Sequence, residues 1–317
     1  MGICTKNKLH FGRQRGLSII ELMIALSLGL LVLFAVLQVF TASLQSANLQ
    51  NAFSRVQENG RMAIQMLSRD IRSADYWGCM NDIAEINNTI ESAFTYVPVG
   101  QGISGEAKVS SKTISSITVK DETDTLTLRG ARGFSDLKII SMNPGAASIK
   151  IESGVDIPQG TVLLLSDCLS GDMFLNTHIN TTTVITHNQG QKVTTKYSAQ
   201  TYQNATQTLS KDYSGSDVQL LIPYVKTYFI GRNSAGGYSL YRSEDGIASE
   251  LVRGVTNLQL LYNDGDNNYV PADDGGLVMD SVRAIRVALE IESGDASSAS
   301  PLKRTYTVTV NIRNRTL

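Results

Sequence analysis

Histidine, cysteine and proline are scarce here: three, three and six residues respectively in a chain of 317. Proline is absent before Pro98, so nothing upstream of it interrupts a helix by removing a backbone N–H. A surplus of positive charge is missing too, because 28 Lys and Arg side chains face 29 Asp and Glu. That balance excludes nucleic-acid binding as a main role. With so few histidines, of which His178 and His187 lie in the body of the chain, a Cys/His metal centre is disfavoured. No repeat of constant period is present. Two enzyme-like spacings occur without the context their chemistry needs. Gly100, Gly102 and Gly105 spell G-x-G-x-x-G, with Asp121 downstream, but residues 108–119 are Ser, Thr and β-branched and make a poor helix. The glycines are read as a flexible surface loop. Ser300 and Lys303 form S-x-x-K without an accompanying K-T-G, and Ser300 precedes Pro301 in a polar turn. The chain is therefore expected not to be an enzyme.

What is present begins at Gly16. Residues 1–16 carry Lys6, Lys8, Arg13 and Arg15 and no acid, which holds that end on the cytoplasmic side of a membrane. From Leu22 to Leu37 no side chain ionises, and with its flanks to Phe40 the run reaches the roughly 20 residues that span a bilayer core. A plain single-span anchor would look like this, as would a signal peptide cut near Thr41 or Ser43. Glu21 argues against both, since a carboxylate at the membrane-facing end of an apolar helix is costly and is kept where it has a partner.

Gly16, an apolar residue after it, and glutamate as the fifth residue beyond it resemble the type IV prepilin cleavage site, and Leu17–Leu37 resembles the pilin N-terminal segment. The resemblance implies cleavage between Gly16 and Leu17 by a prepilin peptidase and methylation of the Leu17 amine. It also implies that Glu21 neutralises an N-terminal amine, a neighbour's or its own, inside an apolar bundle where an unpaired charge would cost several kcal/mol. Leu17 stands where phenylalanine is commonest. No proline kinks the apolar segment, although Gly29 permits a bend.

The helix is expected to continue beyond the membrane. Leu49, Phe53, Val56, Gly60, Ile64, Leu67, Ile71 and Ala74 recur at steps of three and four, and Gln50, Arg55, Glu58, Arg61, Arg69 and Asp70 lie opposite. A helix from Leu17 to about Asp75 would be on the order of 88 Å long. Gly60, on the apolar stripe, marks a close approach to a sheet. After Gly78 come short segments rich in β-branched and aromatic residues, separated by Gly, Asn, Asp and Ser clusters. They are Ile117–Val119, Thr125–Leu128, Leu137–Ile140, Ser148–Ile151, Thr161–Leu165, Thr182–Thr186, Val193–Tyr197, Val218–Ile222, Lys226–Ile230, Leu258–Tyr262, Val282–Ile291 and Thr305–Ile312. Stretches 198–217 and 264–276 read as surface loops. The expected class is α+β and pilin-like, a long N-terminal helix packed on a large antiparallel β-rich domain. Its parts are a leader (1–16), a transmembrane and assembly helix (17–78) and a periplasmic or extracellular domain (79–317) of one body or two lobes.

Removing the leader with its four basic residues leaves 24 basic against 29 acidic side chains, near −5, and takes Cys4 with it. Cys79 and Cys168 remain. In an exported domain such a pair reads as a disulfide, two unpaired buried thiols being the alternative. Trp77-Gly78-Cys79 after DIRSADY, the stretch GTVLLLSDC ending at Cys168, YSLYRS, ELVRGVTNLQLLY and VNIRNR together resemble minor pilins of the PilW type. That resemblance implies a low-abundance subunit that helps initiate a type IV pilus and sits at or near its tip. Its partners would be other minor pilins, the major pilin, the prepilin peptidase and a large tip adhesin. It would reside in the inner membrane, N-terminus cytoplasmic, before assembly and at the cell surface after it. A J-type minor pseudopilin of a type II secretion system shares the plan, but the length, the cysteine pair and the RNR segment fit it less well. No cofactor is expected. The one candidate is calcium at Asn263, Asp264, Asp266 and Asn268, where oxygen ligands crowd a turn without the full EF-hand spacing; a solvated acidic loop is the other reading.

Overall fold

In the computed structural model, the described residues are 16, 18–80, 83–92, 102–134, 137–152, 156–181, 183–195, 200–213, 215, 217–266, 268–293 and 301–315. The helix α1 runs Ile19–Ser73. Its charged ends match the macrodipole, with Glu21 in the first turn and Arg72 in the last. It stops where Ala74 N donates to Ile71 O in a tightened turn and Asp75 turns left-handed at φ 60°. The chain divides into two compact units between Ala52 and Phe53. In the first, residues 19–51 of α1 are exposed throughout. Among the described residues α1 is the one helix long and apolar enough to cross a membrane.

The second unit combines the remainder of α1 with twenty strands among the described residues. The first are β1 (Ile86–Asn88), β2 (Ile103–Val109), β3 (Thr113–Ile114), β4 (Ile117–Thr118) and β5 (Thr123–Gly133). Next come β6 (Ile139–Met142), β7 (Ser148–Ile151), β8 (Ile157–Pro158), β9 (Val162–Ser166) and β10 (Gly171–Leu175). They are followed by β11 (Asn180–Thr181), β12 (Val184–Thr186), β13 (Val193–Thr194), β14 (Thr201–Tyr202) and β15 (Gln219–Arg232). Last are β16 (Tyr238–Glu244), β17 (Ile247–Arg253), β18 (Val255–Asn263), β19 (Ala284–Glu292) and β20 (Lys303–Asn311). The fold is thus α+β, one long helix and a mostly antiparallel β-rich domain.

The largest sheet has the order β1-β10-β9-β15-β16-β17, with β5 also on β15 and β2 beyond it; its β1–β10 pair is parallel. The fourteen-residue β15 organises it. One edge lies along β5 from Leu221 to Tyr228; the other is shared end to end by β9, up to Leu221, and by β16, from Lys226 onward. Sequence reading splits this strand at Pro223. The strand continues because the β16 ladder has not yet begun at Pro223, so the missing N–H interrupts nothing on that side.

A second sheet, β18-β19-β20, shows the expected alternation: Val287, Leu289 and Ile291 are fully buried between less buried neighbours. Val56, Ala63, Leu67 and Ile71 of α1 join one core with Leu126, Leu128 and Tyr228 of the first sheet and with Leu260, Leu289 and Val310 of the second. The strands β9 and β10 are buried along their whole length. One face meets Trp77, Val193 and Leu221, and the other meets Ile149, Ile185 and Tyr213. Being covered on both sides is why VLLLS reads as a continuous apolar run.

Two sequence expectations are corrected. Within 198–217, Asn204, Leu209 and Tyr213 are buried, so this polar stretch is a strap across the core rather than a surface loop. Gly102 and Gly105 are not in a flexible loop. Gly105 lies in β2 with the Tyr262 hydroxyl where a Cβ would be, and Gly102 meets the Asp75 side chain in the same way. Gly100 lies outside the described residues.

Candidate functional site

Three groups of residues carry the arrangement. At the start of α1, Gly16 is exposed, and Ser18 O accepts from Leu22 N. Leu17, the residue expected to be cleaved and methylated, lies outside the described residues, as does the expected leader up to Arg15. Glu21 sits in the first turn of the helix, exposed, and its carboxylate has no ion pair or hydrogen bond among the described residues of its own unit. Around it the apolar side chains are open on every side, from Ile19 at 80% to Phe40 at 59% exposure. The hydroxyls of Ser27 and Thr41 bond back to helix carbonyls (2.8 Å to Met23 O and 3.0 Å to Gln38 O), which satisfies them without water. Such a surface suits a bilayer or an apolar bundle and leaves one carboxylate to be neutralised.

The second group joins α1 to the sheets within the second unit. At Gly60 the Tyr306 ring of β20 lies where a Cβ would stand, and the Tyr306 hydroxyl donates to Val56 O at 3.2 Å. The close approach expected of Gly60 is there. Arg304 lies over both the Phe53 and Tyr306 rings (5.8 and 5.4 Å), and Asn59 Nδ2 donates to Arg253 O at 3.0 Å. Asp70, assigned by sequence to the solvent face, is instead buried. It accepts from Lys226 Nζ (3.1 Å) and from the Tyr228 hydroxyl, with Arg242 at 3.7 Å. Burial first, then the Asp70 charge, pushes the Tyr228 phenol far above its ordinary range, so it stays a donor. The signal was available: Asp70 is three residues beyond Leu67 and seven beyond Ala63, on the buried stripe.

The third group holds the exit of the helix. Cys79 and Cys168 form a disulfide with Cα atoms 4.7 Å apart, which ties the exit to the β9–β10 turn. Cys168 is exposed. Asp75 N donates to Arg129 O (2.8 Å), and its carboxylate takes Trp77 Nε1 (2.9 Å) and Arg315 Nε. Asn314 Nδ2 donates to Ala74 O (2.8 Å), and Arg315 also donates to Met279 O and Val282 O. The VNIRNR segment is therefore a clasp on the helix end, a role that sequence reading did not give it.

At the calcium candidate, the structure brings Asn263 and Asn268 together but spends the Asn263 amide on the turn itself: its Oδ1 accepts from Gly265 N (3.1 Å) and its Nδ2 donates to Asn268 O (2.8 Å). Asp266 is exposed and Asp264 partly so. Among the described residues no group of three or more His, Cys, Asp or Glu side chains is placed to hold a metal ion. Comparison with family models, with curated proteins and with solved structures returns no match.

Proposed function

We propose that this chain is a prepilin-like subunit, a minor pilin of the PilW type that helps to initiate a type IV pilus and remains at or near its tip. The observation that carries the reading is the Gly16–Glu21 spacing at the head of an apolar helix exposed on every side. A lone carboxylate in that setting needs a cation, and the amine created by cleavage at Leu17 supplies one of the right charge. The rigid β-rich domain, with its disulfide and clasped helix exit, suits a subunit that is extracted from a membrane and kept folded outside it. Before assembly the apolar helix holds the subunit in the inner membrane. Afterwards it lies against other minor pilins and the major pilin.

Intact-mass and N-terminal analysis of protein recovered from membranes tests the reading. The expected product begins at Leu17 with a methylated amine. A start at Asn7, or near Leu44 as a secretory signal peptide would leave, overturns it. Sheared surface filaments should contain the same processed chain together with other minor pilins.

A further inference from the structure

His187 follows β12 and is wholly buried, its ring 4.9 Å from the Phe174 ring, and neither ring nitrogen has a hydrogen-bond partner among the described residues. A ring in that position must be neutral, since a buried imidazolium needs an acceptor or water at both nitrogens. Asp172, on the same face of β10 as Phe174, is the nearest carboxylate, and its oxygens are already taken. Asn87 Nδ2 (2.7 Å) donates to one; Ser210 N (2.8 Å), Ser210 Oγ (2.6 Å) and the Tyr213 hydroxyl (2.8 Å) donate to the other.

The strap 204–213 and His187 hold the same turn between β6 and β7. His187 N donates to Ala147 O (3.0 Å), Leu209 N to Pro144 O (3.0 Å) and Gln207 Nε2 to Gly145 O (3.3 Å). Hydrogen bonds thus link the strap, and the residue that carries the ring, to one turn. Charge elsewhere around the ring is sparse. Lys211 lies over the Tyr213 ring and is paired with Asp167, Lys150 of β7 is exposed, and His178 lies in the turn before β11.

We propose that this layer, β6, β7 and β12 with the strap 204–213, is an acid-releasable lobe: proton uptake by His187 opens it while the core shared by α1, β18, β19 and β20 stays folded. Opening lets solvent donate one proton to the ring and hydrate the imidazolium. Burial, partly offset by the Asp172 charge and by the residue's own backbone, lowers the folded imidazole to about 4, whereas the opened ring returns to its ordinary value near 6.5. The proton is thus gained on opening, so closure is fully favoured above about pH 6.5 and weakens as pH falls toward 4. The opening equilibrium should rise about 50-fold between pH 7 and pH 4.5.

Hydrogen exchange of the full-length chain in detergent, corrected for the intrinsic pH dependence of exchange, tests this. Expected is a loss of protection on acidification in 142–151, 184–189 and 204–213 with 255–263 and 284–292 unchanged, and its absence in His187→Phe. Equal loss in both regions, no loss, or an unchanged acid response in His187→Phe overturns the proposal. Should that variant fold poorly, proton NMR of the wild-type ring in a background with His10→Gln and His178→Gln decides. Titration well below 6 in the folded chain supports the lobe, and titration near 6.5 overturns it.

Discussion

Gly60 and Asp70 occupy the same buried face of α1 and hold it against the sheets by opposite means, one through a missing side chain and the other through a charge. Gly60 was legible because a glycine on an apolar helical stripe has a stated cost in propensity, about 1 kcal/mol relative to alanine, and something must offset it. Asp70 was not legible while its charge was weighed ahead of its position on the stripe. Gly60→Ala should lower the stability of the β-rich domain by about 1–3 kcal/mol despite the gain in propensity, because the added Cβ overlaps the Tyr306 ring. The denaturation midpoint of Gly60→Ala with Tyr306→Leu should then fall by less than the sum of the two single changes. Equal and additive losses would show that the ring is not what the Cβ meets. Asp70→Ala leaves the half-buried Lys226 and the buried Tyr228 hydroxyl without their acceptor, and a loss of about 3 kcal/mol is expected from chemical denaturation. Asp70→Asn, which keeps one acceptor oxygen, should lose less.

Among the elements, strands with periodic apolar character were legible and those that break the pattern were not. The segments around Ser148–Ile151 and Ala284–Glu292 announce themselves by β-branched residues, and Val162–Ser166 by its unbroken apolar run. By contrast β10 opens with Gly171-Asp172, β2 carries Gly105, and β16 and β17 are rich in Ser, Arg and Glu, so single-sequence reading passes over them. Their conformation comes from partners distant in sequence. The helix exit teaches the same lesson. Sequence reading makes it depend on the apolar stripe and the disulfide, whereas the Asp75–Arg315 pair and Asn314 hold it independently. Cys79→Ser should therefore lower stability by about 2–5 kcal/mol, mostly through the unfolded chain, and leave exchange protection at residues 74–78 nearly unchanged. Arg315→Ala should remove that protection and cost about 3 kcal/mol, because it strands the half-buried Asp75 carboxylate. The opposite pattern would assign the exit to the disulfide alone.

For the whole molecule, the division of labour between the two units predicts what a single change in the first does to the second. The core of the β-rich domain draws on α1 from Val56 onward, and Glu21 belongs to the other unit. Folding, disulfide formation and the acid response of the His187 lobe should therefore be indifferent to Glu21→Ala. Assembly should not be. On the pilin reading, the carboxylate meets its cation when helices lie side by side in an apolar bundle, where an unpaired charge on either partner costs several kcal/mol. Glu21→Ala strands the Leu17 amine, and even 3 kcal/mol corresponds to more than a hundredfold loss in an assembly equilibrium. Sheared filaments from cells carrying the variant should hold far less of this subunit, while membranes contain it at normal level, processed at Gly16 and with Cys79 and Cys168 oxidised. Glu21→Asp, which keeps the charge on a shorter stem, should recover part of the loss. Incorporation of Glu21→Ala at wild-type level would remove the assembly role of the carboxylate, and a fall in its membrane level would place the effect in folding or insertion instead.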